Sequence, residues 1–78
     1  MDKYLNRVIA IIIEKTGIDP EDIGESSYFE DDLNIGEMEL HEILGAVEEE
    51  YKIELEDEEK ENITSIMDLV ELLVEKVE

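Results

Sequence analysis

The sequence has no cysteine, a single proline, and only six lysines and arginines in 78 residues. Without cysteine there are no disulfides, no thiolate catalysis and no zinc–thiolate sites, and such a composition suits a reducing cytoplasm. The six basic residues stand against 25 acidic ones, for a formal net charge of −19. That charge repels DNA, RNA and anionic membranes and attracts basic protein surfaces, so neither nucleic acid nor a membrane is an expected partner. Long apolar runs are also missing. Val8–Ile13 is far shorter than the roughly 18 residues that a membrane span needs. The N-terminus shows no basic region leading into an apolar stretch and a small-residue cleavage site, so no signal peptide is expected. There is no internal repeat and no Gly/Ser linker, and the length accommodates one domain, residues 1–78, which is expected to be monomeric.

What the chain does have is periodic apolar residues, 42% of the total, and this periodicity argues against acidic disorder. Leu5, Val8, Ile9 and Ile12 follow helical spacing, and Ile11 and Ile13 widen the stripe, predicting a largely buried helix over residues 2–16 that stops at Thr16–Gly17. Asp19 and Pro20 suit the N-cap and first position of one short helical turn. A long connection follows, with Tyr28, Phe29 and Leu33 expected to anchor it to the core. A second helix is predicted over Glu37–Tyr51, with Leu40, Ile43, Leu44, Val47 and Tyr51 within about 100° of arc. Its opposite face carries Met38, Glu42, Gly45 and Glu49, with His41 and Glu48 along one flank. A short helix is expected near Asp57–Glu61. The last helix is capped by Thr64 or Ser65, with Asp68 three after Ser65 in the manner of a capping box, and buries Ile66, Leu69, Val70, Leu73 and Val77. The predicted fold class is all-α: a small bundle of three main helices and one short one.

Few residues point to chemistry. His41 is the only histidine, it has no cysteine partner, and no serine sits in a nucleophile-elbow context, so no catalytic residue is assigned and the chain is not expected to be an enzyme. The segment from Glu30 to Glu42 has some features of a calcium loop. Counted from Glu30, the position that needs glycine holds Ile35. Counted from Asp31, Gly36 and Glu42 fit, but Leu33 and Ile35 interrupt the ligand series. No metal site is assigned, and clustered carboxylates are expected to bind divalent cations only weakly.

Several stretches together resemble the acyl carrier protein family. They are Phe29-Glu30-Asp31-Asp32-Leu33, then Val47-Glu48-Glu49-Glu50-Tyr51-Lys52-Ile53-Glu54-Leu55, then Asp57-Glu58-Glu59 and Ile63-Thr64-Ser65-Ile66-Met67-Asp68. No gap is needed between Phe29 and Asp68, and the resemblance covers nearly the whole chain. It implies a four-helix bundle with a short third helix and a long loop between the first and second. It also implies a non-catalytic protein that presents substrates to enzymes on a 4′-phosphopantetheine arm. In the family an aspartate–serine–leucine triplet opens the second helix, and its serine receives the arm. Here Gly36, Glu37 and Met38 occupy that triplet, and no serine lies between Ser27 and Ser65.

Because a carboxylate cannot replace the hydroxyl in a stable phosphodiester, the arm is expected to be absent and no cofactor is assigned. Ser26 and Ser27 lie about ten residues upstream and do not match the motif. What remains of the family's function is docking: Glu37, Met38, Glu42, Glu48 and Glu49 match the positions at which partner enzymes recognise a carrier, so basic surfaces of carrier-recognising proteins are the expected partners. The plain alternative is an ordinary solvated face with one stray methionine. Two other functions stay open: an acyl carrier of fatty acid or secondary metabolite biosynthesis with a non-standard attachment, and an acidic mimic of nucleic acid.

Overall fold

The computed structural model describes residues 2–78. Four α-helices follow in order: α1 (Asp2–Thr16), α2 (Glu37–Tyr51), α3 (Asp57–Glu61) and α4 (Ile66–Val77), with a 3₁₀ turn at Pro20–Asp22 between the first two. These boundaries agree with the spacing in the sequence. α1 ends where Gly17 takes φ 75°, a left-handed conformation that glycine adopts without steric cost. Asp19 caps the 3₁₀ turn by accepting the Glu21 N–H at 2.9 Å. α4 begins on the predicted capping box, in which Ser65 accepts the Asp68 N–H and Asp68 accepts the Ser65 N–H.

α1 packs against both α2 and α4. The core between them is made chiefly of Val8, Ile12, Ile43, Val47, Leu69 and Leu73, all fully enclosed. The buried stripe of α1 is rotated from the one expected: Tyr4, Val8, Ile11 and Ile12 are buried, while Leu5 and Ile9 are half-buried. The rotation places the Tyr4 ring 5.7 Å from that of Tyr51 and its hydroxyl 2.7 Å from Glu78, to which it donates. That hydrogen bond, with burial, pushes the Tyr4 phenol up to about 12. Arg7 crosses to α2 with a two-pronged pair to Glu50, at 2.8 and 3.0 Å. Val77, expected in the buried stripe of α4, is instead exposed.

The long connection is held by its backbone as much as by its side chains. Phe29 N–H donates to Thr64 at 3.0 Å and Ile66 N–H donates to Ser27 at 3.0 Å, so the loop pairs briefly with the chain entering α4. Phe29, Leu33 and Ile35 are buried beneath it. Tyr28, also expected as an anchor, does not serve as one: it is 51% exposed, and its contribution is the backbone bridge to Ser65.

α3 buries none of its own side chains. It is held by Leu55 and Ile63 at its two ends, both in the core, and by two ion pairs. Lys60 lies 3.8 Å from Glu48 of α2, and Lys76 of α4 lies 3.0 Å from Glu59.

Candidate functional site

The site expected from the sequence is the N-terminus of α2 and the outward face that follows it. Gly36 occupies the N-cap with φ −80° and ψ 177° and offers no side-chain cap, so the first amides of α2 have no side-chain acceptor at the N-cap. Glu37 and Glu39 stand in the first turn, where the positive end of the helix dipole stabilises a carboxylate by about 0.3–1 kcal/mol each. The upstream loop delivers this terminus: Ile35 is buried and its N–H donates to Phe29 at 2.8 Å, which fixes the chain one residue before the N-cap. Sequence reasoning missed Ile35 as an anchor. The signal that would have found it is its position one residue before the N-cap, where an apolar side chain commonly packs beside the first helical turn.

Of the residues singled out, Glu37, Met38, Glu42 and Glu49 are exposed on α2. Met38 is 82% exposed, the most exposed large apolar side chain among the described residues. Glu48 is different. Its carboxylate accepts the Leu55 N–H at 2.8 Å and approaches Lys60, and only 20% of its side chain meets solvent. It therefore braces the chain entering α3, and the other four residues form the free face. His41 is exposed on the flank, as expected.

The C-terminal turn of α2 carries Glu48, Glu49 and Glu50 and no basic residue, although the helix dipole disfavours negative charge there. Lys60 and Arg7 answer two of these carboxylates. Glu49 has no ion-pair partner within 4 Å among the described residues. Gly45, on the same face, has open space where a Cβ would stand.

Beside this face, between α2 and α3, lies an open cleft of about 850 Å³. Its floor includes Ile35, Leu40, Leu44 and Ile63, and its rim carries Glu30, Glu37, Asp57 and Glu61, with His41 and Lys60.

No hydroxyl is presented at the start of α2. Ser27 lies upstream, with its Oγ accepting the Gly24 N–H at 2.8 Å. Thr64 donates its hydroxyl to Asp68 at 2.9 Å. Ser65 is buried and caps α4. Burial raises the Asp68 carboxyl, but the amide and hydroxyl of Thr64 and the groups of Ser65 outweigh that, and the net shift is downward.

The arrangement defines a small helical carrier fold with an acidic second helix, and comparison with known proteins agrees. The family model described as "Phosphopantetheine attachment site" matches residues 6–73. Similar proteins include the acyl carrier protein of Caulobacter vibrioides, 38% identical over 97% of this chain and 97% of the relative. The acyl carrier protein of Thermosynechococcus vestitus is 33% identical over 96% of this chain and 93% of its own length. That of Chlamydia muridarum is 33% identical over 88% of this chain and 90% of its own. The chain belongs to the acyl carrier protein family, and like the carriers of that family it is not an enzyme. No helix among the described residues is long and apolar enough to cross a membrane.

Proposed function

We propose that this chain is a single acyl-carrier-like domain that works without a prosthetic arm, by docking its acidic second helix on basic surfaces of proteins that recognise acyl carriers. The observation that carries the reading is the occupant of the position that the motif resemblance aligns with the family's attachment serine. Glu37 is exposed at the first residue of α2, and no serine or threonine lies between Ser27 and Thr64. The residues present do not fit a phosphopantetheine arm: a carboxylate cannot form the phosphodiester, Ser65 is buried in a cap, and Thr64 is tied to Asp68.

The docking face would comprise Glu37, Met38, Glu42 and Glu49, with Glu48 positioning α3 beside it. The carboxylates would steer a basic partner and Met38 would add apolar contact once it has arrived. A monomer in the cytoplasm, with divalent ions only loosely associated, fits a net charge of −19.

The test is intact mass after incubation with a phosphopantetheinyl transferase and coenzyme A. The expected result is an unchanged mass beside a normal carrier that gains one arm, and a gain on any residue of this chain overturns the reading.

A further inference from the structure

We propose that the groove between α1 and α2 seats a helix of the docking partner, one that turns basic residues toward Glu42 and Glu49 and acidic residues toward Lys15 and Lys52. The proposal rests on the docking reading above and makes α1 the second wall of the surface. The two helices run antiparallel. Arg7 meets Glu50 at one end of the groove, and Lys15 and Glu42, each eight residues further along its own helix, line the other. The space between them is about 730 Å³. Its middle carries little side chain: Ile11 is buried, Ala46 is half-buried and Gly45 is bare backbone. A Cβ at Gly45 would meet nothing within 4 Å, so the fold itself does not require glycine there, although glycine weakens a helix interior. Bare backbone at the centre of a groove lets a second helix approach closely.

The charges along the groove say what that helix carries. Three of the chain's six basic residues, Arg7, Lys15 and Lys52, lie here. Arg7 is committed to Glu50, but Lys15 and Lys52 have no carboxylate within 4 Å among the described residues. Glu42 and Glu49 are likewise without an ion-pair partner, and they stand about 10 Å apart on one stripe of α2. A purely cationic segment would satisfy the two glutamates and be repelled by the two lysines. A helix carrying both signs in complementary places satisfies all four. A second copy of this chain also carries both signs, but its net charge of −19 opposes association. Met38, one turn before Glu42 on the same stripe, extends the track past the end of the groove.

The experiment follows the isotope-labelled amides of the full chain during titration with two synthetic helical peptides. Both carry arginines at the spacing of Glu42 and Glu49, around a central alanine. One has glutamate where it would face Lys15 and Lys52, and the other has lysine at those places. Expected with the glutamate peptide are shifts of the Ile11 and Lys15 amides together with those of Gly45 and Glu49. Gly45→Gln, which adds no charge and no clash within the chain, should weaken that peptide about tenfold by holding the helices apart. Lys15→Glu should move the ratio of the two affinities toward the lysine peptide by about threefold or more, the effect of exchanging an exposed attraction for a repulsion. Lys76→Glu makes the same charge change outside the groove and should leave the ratio nearly unchanged. Shifts confined to α2, with Ile11 and Lys15 silent, overturn the groove and leave docking on α2 standing. No shift with either peptide overturns both. Equal responses of the ratio to Lys15→Glu and Lys76→Glu overturn the charge pattern. Groove shifts on concentrating the chain alone assign the surface to a second copy and overturn the proposal.

Discussion

Asp68 holds together the junction on which the candidate site depends, and replacing it with alanine tests that role. One oxygen, Oδ2, accepts from Thr64 N–H at 3.0 Å, Thr64 hydroxyl at 2.9 Å and Ser65 N–H at 3.1 Å. The next hydrogen bonds along the chain, Phe29 to Thr64 and Ile66 to Ser27, are the ones that pin the loop leading to α2. Thr64 is exposed, so its freed donors recover water and count for little. The amide of the buried Ser65 recovers less. Loss of a cap alone costs about 0.5–2 kcal/mol, and a hydrogen bond to a charged group about 1.5–3 kcal/mol. Because these bonds share one acceptor they do not add, and about 2 kcal/mol is expected for Asp68→Ala. A domain of this size has only about 4–12 kcal/mol in total. With a urea slope of about 1 kcal/mol per molar, the midpoint should fall by about 2 M.

The loss should depend on pH. A carboxyl whose value is depressed by folding contributes stability that is present above its unfolded value, about 3.9, and disappears as pH falls through the folded value. The gap between wild type and Asp68→Ala should therefore be full at neutral pH and shrink as the solution is taken well below pH ~4. A midpoint unchanged at neutral pH, or a gap of the same size in strong acid, refutes the reasoning.

Other expectations follow from the same structure. Gly36→Asp with Glu37→Ser should make the chain a substrate for a phosphopantetheinyl transferase, since both positions are exposed and a Cβ at Gly36 meets nothing within 4 Å; intact mass reads the outcome. Glu49→Gln should weaken docking on a basic partner while raising stability by about 0.3–1 kcal/mol, because it removes an unpaired charge from the negative end of α2; calorimetry of binding and a thermal melt measure the two effects separately. Gly45→Ala should stabilise α2 by about 1 kcal/mol, and a partner that needs close approach there would bind it less well. Lys76→Met should speed hydrogen exchange across α3 while leaving the global melt nearly unchanged, because Glu59 loses one of the two donors that depress its carboxyl.

The helices were legible because each carries two independent signals, an apolar period and a chemically distinct end. α4 shows both, with Ser65 and Asp68 at its start and Leu69, Val70 and Leu73 on its buried side. The rotation of α1 was not legible. Six consecutive apolar or alanine residues from Val8 to Ile13 leave the direction of the stripe undetermined until Tyr4 finds Tyr51 and Glu78. The loop was legible only as far as its side chains predicted burial. Ile35 had a local signal in its place before the N-cap, but the exposure of Tyr28 follows the backbone pairing of residues 27–29 with 64–66, a long-range contact with no local signature. Within the site, Glu48 read as one acid among several. Its separate role appears only when Leu55 and Lys60 fold back on it.

That division bears on how the α2 terminus is to be understood. A glutamate at the first helical position fits the dipole, so exchanging a serine for it costs the fold nothing and adds a fraction of a kcal/mol. Fold stability alone therefore explains Glu37. It does not explain Glu49, which sits unpaired at the disfavoured end of the same helix, nor Met38, which is left 82% exposed between two glutamates. Those two residues make the isolated chain less comfortable in water, and a bound basic partner would relieve both at once, by neutralising one and covering the other. Docking accounts for the residues that the fold does not need, and the melt and binding measurements on Glu49→Gln decide it.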